Sequence, residues 1–170
     1  MNLYQAIVPN YLQIIGAVAG LLDKAEAQCT ASGLPPETLI QARLAPDMLP
    51  FAYQITSVAK HSMGAIEGVI AGVFSPDTST PPGDFASLKA RLAAARDSLG
   101  ALSEADVNGL AGRAMRFEYG DFRIDFVAEA FLLSFSQPNF YFHATTAYDI
   151  LRAQGVPLGK SDFMGQLRTR

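Results

Sequence analysis

The chain has 170 residues, 49% hydrophobic and 17% charged, with a net charge of −3 and a single cysteine, Cys29. That length suits one domain, 1–170, able to bury about 70% of the surface of its extended form, and the composition is too apolar for a disordered segment. A mildly acidic chain exerts no general pull on a phosphate backbone, and one cysteine forms neither an internal disulfide nor a thiolate-rich metal site, so nucleic acid is not an expected partner.

From 3 to 28, apolar residues recur at helical spacing (Ile7, Tyr11, Ile14, Ile15, Val18, Leu21, Leu22), and Gly33, Pro35 and Pro36 supply the stop. No basic residue precedes Lys24, so the positive n-region of an export signal is missing. The longer apolar stretches, such as 63–74, are interrupted by Glu67 or by glycines, and none reaches the ~20 residues of a bilayer span. A soluble, cytoplasmic protein is expected. Cys29, near the end of this helix, is expected to be an inert thiol.

Pro36, Glu37 and Thr38 open a short helical turn. A second long helix is expected over about 46–73, with Met48, Phe51, Ile55, Val58, Met63, Ile66 and Ile70 on its apolar stripe. The Pro-, Ser- and Thr-rich stretch 75–83 reads as a surface loop. Asp84 then caps a third helix through Leu99, with Phe85, Leu88 and Leu92 inward.

Over 115–126 the period changes to alternation, the pattern of strands. Gly120-Asp121 fits a two-residue type II′ turn, which sets Tyr119 opposite Phe122, Phe117 opposite Ile124 and Glu118 opposite Arg123. The helical period returns from 127 to 153 and ends at Gly155 and Pro157. Two strands make no core alone, so the expected fold is mainly α, a four-helix bundle with a small β-hairpin before the last helix.

The last helix carries the chemistry. Thr145, Asp149 and Arg152 mark its solvent face, and the opposite line holds Leu132, Ser136, Asn139, His143, Thr146 and Ile150. These inward polar groups either fix helix register as a satisfied core network or line a ligand pocket. Pro138 removes a backbone donor and frees the Ser134 carbonyl, so a kink is expected beside Asn139. Tyr141, Phe131 and Phe142 project toward the solvent side, which calls for cover by the C-terminal tail or a second subunit. A homodimer is expected. On the second helix Gln54, Ser57 and His61 form another polar line at the flank of the stripe, with Gln54 looking inward and His61 expected at the surface. The segment 155–161 imitates a P-loop but is one residue short and follows a helix, so phosphate cradling is unsupported.

The runs 42–48 (ARLAPDM), 138–143 (PNFYFH), 146–148 (TAY) and 155–160 (GVPLGK) resemble the bacterial domain-of-unknown-function family one-nine-nine-three. That family is grouped with the DinB/YfiT-like superfamily of metalloenzymes, so the resemblance implies a four-helix bundle, often dimeric. Metal-binding relatives use one histidine from the second helix and an H-x-x-x-H pair on the last. Here that pair reads Asn139 and His143, and the second-helix position falls near Gln54, a poor ligand for zinc or nickel. The expected site is therefore a metal-free pocket of Asn139, His143, Thr146 and Gln54. The alternatives are a metal-dependent hydrolase or thiol transferase on zinc or nickel, with His143 and, as a further ligand, His61 and a carboxylate completing the set, and a homodimeric interaction module.

Overall fold

A computed structural model describes residues 1–169. α1 (Leu3–Ser32) starts at a capping box, in which Asn2 accepts from the Gln5 N–H and Gln5 bonds back to the Asn2 N–H. It stops at Gly33, whose φ of 69° is the left-handed conformation that frees the chain to turn. Ile7, Tyr11, Ile14, Ile15, Val18, Leu21 and Leu22 are all buried, and so is Cys29. By length and composition α1 is nevertheless apolar enough to cross a membrane, which corrects the expectation that no segment is. Half of that apolar window is buried within the protein itself.

α2 (Pro36–Ile40) is the short turn expected. The second long helix is corrected: it starts at Phe51 and divides into α3 (Phe51–Lys60) and α4 (Met63–Ala71). Pro50 disfavours helical geometry at Leu49, which delays the start. Ser62 donates its hydroxyl to the Val58 and Ala59 carbonyls at 2.7 and 3.0 Å, competing with backbone donors where the helix breaks. The break resets the phase, so Ile70, placed on the stripe by a continuous helix, is 57% exposed.

β1 (Val73–Phe74) follows, then α5 (Phe85–Gly100) behind the Asp84 cap, which accepts from the Ser87 N–H at 2.7 Å. A short α6 (Glu104–Asn108) leads to β2 (Ala114–Tyr119) and β3 (Phe122–Val127). The hairpin has the expected register at all three pairs. Gly120 has φ 57° while among the described residues no non-glycine, Asp121 included, has a positive φ, as a type II′ turn requires. The third strand was not foreseen: β1 pairs parallel to β2, giving the order β1-β2-β3.

The last long helix runs as α7 (Ala128–Ala130), a π-helical turn (Phe131–Ser136) and α8 (Gln137–Ala153). The Gln137 N–H reaches back five residues to the Leu132 carbonyl, just before Pro138, so a wide turn takes up the irregularity expected as a kink. The extra residue also rotates the preceding segment. Phe131, expected near solvent, is fully buried among Phe74, Phe126 and Phe135, which corrects its assignment to an outer face. Phe142 is 56% exposed and Tyr141 half-buried.

α1 packs on α5 and α8, and α3 packs on the same two helices, so the long helices surround one core. The protein is mainly helical with a three-stranded sheet at its side. α9 (Lys160–Met164) lies along α1, where Gln13 donates to the Met164 carbonyl at 2.9 Å.

Candidate functional site

α3 is enclosed by α8, α5, α1, α2 and α4, so it is buried on more than one face. Its sequence carries a single charge, Lys60 at its end, with small or apolar residues nearly all round. Gln54, Thr56, Ser57 and His61 are all buried. The expectation of a surface His61 is thus corrected: it is 7% exposed, on the same line of α3 as the buried Gln54 and Ser57, with its ring set against Ser136 and His143 of the last long helix.

A chain of polar groups crosses between α3 and α8. The Gln54 Nε2 donates to the Leu49 carbonyl at 2.8 Å, which turns its Oε1 toward His143. His143 Nδ1 stands 2.7 Å from that oxygen and must therefore carry the hydrogen and donate it. Its Nε2 keeps a lone pair. The imidazole of His61 stacks on that of His143, with centroids 5.7 Å apart and planes 17° from parallel. The Ser136 hydroxyl donates to the His61 carbonyl at 3.0 Å, leaving its oxygen to accept from His61 Nδ1 at 3.3 Å. His61 Nε2 is likewise an acceptor. Beyond Ser136, the Tyr11 hydroxyl is buried with no hydrogen-bond partner among the described residues, its ring packed 4.4 Å from Phe140.

Both imidazoles are neutral. Burial pushes His143 down to about 4. Burial first, then the repulsion a protonated His143 would add and the charge of Lys60, take His61 down to about 3. Burial raises the Tyr11 phenol. The arrangement therefore offers two uncharged acceptor nitrogens at neutral pH.

Of the residues expected in the site, Gln54 and His143 meet directly. Asn139 turns back to donate to the Phe135 carbonyl at 2.7 Å and does not pair with His143. Thr146 is buried one turn beyond His143 on α8. His61, Ser136, Tyr11 and Tyr53 complete the surroundings, and sequence reasoning gave His61, Tyr11 and Tyr53 no part in a metal-free pocket. The i, i+3, i+7 spacing of Gln54, Ser57 and His61 within a nearly uncharged helix was the available signal.

Tyr53 meets His143 edge-on at 5.9 Å and also lines an open cleft of about 660 Å³. Arg43, Leu49, Asp77, Thr80 and Tyr119 form other parts of its wall. Among the described residues no three His, Cys, Asp or Glu side chains come together as a metal set. The two stacked imidazoles lack the third protein donor that a catalytic zinc keeps, so these residues do not fit a three-histidine centre.

No curated protein matches the sequence. A solved structure of similar fold, a DinB family member protein from Shewanella denitrificans, superposes with a TM-score of 0.80 and 25% identity, covering 99% of this chain and 94% of that one. The family model of the domain of unknown function DUF1993 matches residues 3–164, nearly the whole length, and the chain belongs to that family.

Proposed function

We propose that this protein, built on the DinB-type four-helix plan, binds a small uncharged molecule between α3 and α8, with His143 as the acceptor for a hydroxyl or amide N–H of the ligand. The observation that carries the reading is the Gln54–His143 hydrogen bond of 2.7 Å. It fixes the tautomer that leaves Nε2 able to accept, and burial keeps the ring neutral, so a neutral donor is favoured over an anion. Asn139 and Thr146 lie one turn to either side on α8 and contribute the flanking contacts. A nearby cleft has the volume of an ordinary small-molecule site, and Tyr53 is the residue it shares with the surroundings of His143.

The test is a thermal-shift screen of uncharged alcohols and amides, followed by calorimetry of the hits on wild type and His143→Leu. Binding that His143→Leu abolishes, while the variant stays folded, supports the reading. If no compound binds, or hits bind equally to both proteins, the polar chain is a structural core network and the proposal fails. Elemental analysis of untagged protein after incubation with zinc or nickel is the second arm. A stoichiometric metal, lost in both His61→Leu and His143→Leu, would overturn the metal-free reading in favour of a metal-dependent activity.

A further inference from the structure

β3 is the outer strand of the sheet, and its outer edge carries a charge pattern that matches itself. The Ala128 N–H donates to the Arg113 carbonyl, and the Arg116 N–H to the Gly72 carbonyl. Backbone groups of successive strand residues point to opposite sides. In this register Phe122, Ile124 and Phe126 therefore bond to β2, and Arg123, Asp125 and Val127 direct their N–H and C=O groups off the free edge. The Arg123 and Asp125 side chains are 57% and 77% exposed. Phe122 is 59% and Val127 45% exposed, so the edge carries apolar surface as well.

We propose that β3 pairs antiparallel with β3 of a second copy of this chain about a twofold axis at Ile124, joining the two sheets into one of six strands. Charge selects this register. It sets Arg123 opposite the partner's Asp125 and Asp125 opposite the partner's Arg123, with Phe122 facing the partner's Phe126. The two neighbouring registers that also match outward backbone groups set Asp125 against the partner's Asp125, or Arg123 against the partner's Arg123. Like charges directly opposite are destabilising. Within each hairpin Arg123 already lies 3.2 Å from Glu118, and Asp125 2.6 Å from Arg116. The pairing thus extends two short ion pairs into a ladder of alternating sign, Glu118–Arg123 and on to the partner's Asp125 and the partner's Arg116. Charged side chains on an edge strand commonly guard it against pairing, and in the proposed register these two become attractions instead.

Sedimentation equilibrium of the full chain tests this, with Arg123→Asp, Asp125→Arg and their equimolar mixture. Wild type is expected to dimerise, and each reversal to weaken the dimer at least about tenfold. The mixture is expected to recover it. In the mixed dimer the aspartate introduced by one substitution faces the arginine introduced by the other, and the unaltered Asp125 and Arg123 still face each other at the second site. Amide exchange on wild type gives an independent reading should a variant fail to fold. The Arg123 and Asp125 amides slow as concentration rises, whereas that of Ile124 is slow throughout. A wild-type monomer at about 1 mM overturns the proposal. So does a dimer that both reversals leave intact, or one in which the Arg123 and Asp125 amides stay fast.

Discussion

Lowering the pH from 7 to 5 protonates histidine and no other side chain at its ordinary pKa, and this chain's two histidines stack on one another in the core. Folded, they bind protons only near about 4 for His143 and about 3 for His61; unfolded, they do so near about 6.5. Their neutrality therefore stabilises the fold fully above about pH 6.5, and the contribution is lost as pH falls toward the folded values. Each imidazole protonated only in the unfolded chain removes about 1.4 kcal/mol per pH unit. From about pH 6.5 to 5 the pair removes roughly 3–4 kcal/mol, the lower figure allowing for the partial exposure of His143. That is a large share of the ~5–15 kcal/mol that holds a domain folded. Asp77, Asp84, Asp106, Glu129 and Asp162 are held below the ordinary carboxylate range by hydrogen bonds and, for Asp77 and Asp162, a neighbouring cation, so their losses begin at lower pH. Urea unfolding at a series of pH values, followed by circular dichroism, measures the loss. Its slope should approach two protons per molecule, and His61→Leu with His143→Leu should flatten it. An unfolding free energy that stays constant from pH 7 to 5 in wild type would refute the buried, neutral pair.

Replacing Gln54 by Leu strands the His143 N–H and the Leu49 carbonyl and should cost roughly 1–3 kcal/mol in urea unfolding. Gln54→Glu, by contrast, should raise the His143 pKa, followed by NMR titration of its ring; an unchanged titration means the hydrogen bond is absent in solution. A Cβ at Gly68 would lie 2.9 Å from the Phe74 Cβ, a carbon fixed to the backbone and unable to swing away. Gly68→Ala should therefore lose about 1–3 kcal/mol by thermal melting, and a melt equal to wild type would show that α4 and β1 separate easily. Cys29 is 5% exposed and burial raises its thiol, so it should react with a disulfide reagent only as the chain unfolds. Immediate stoichiometric reaction in the native protein would show that the end of α1 opens.

Local pattern alone accounts for much of this molecule. The period of α1 and its stop at Gly33, the Asp84 cap, the register of the hairpin and the inward line of α8 are all written in residues a few positions apart, where capping, turn geometry and alternation act. Of the candidate site, that pattern made Gln54 and His143 legible as inward groups. It did not reveal their partnership, because their side chains meet across 89 positions of chain. Three decisions rest with tertiary contact: the break at His61 and Ser62, the π turn that rotates Phe131 into the aromatic cluster, and the pairing of β1 with β2. Each changes the phase or the neighbours of a segment without leaving a period of its own. The helical projection holds as far as His61, whose N–H still bonds to the Ser57 carbonyl, but it treats a single apolar stripe as the buried side and so leaves that ring in water. Packing around α3 on several sides is what buries that ring and sets it against His143.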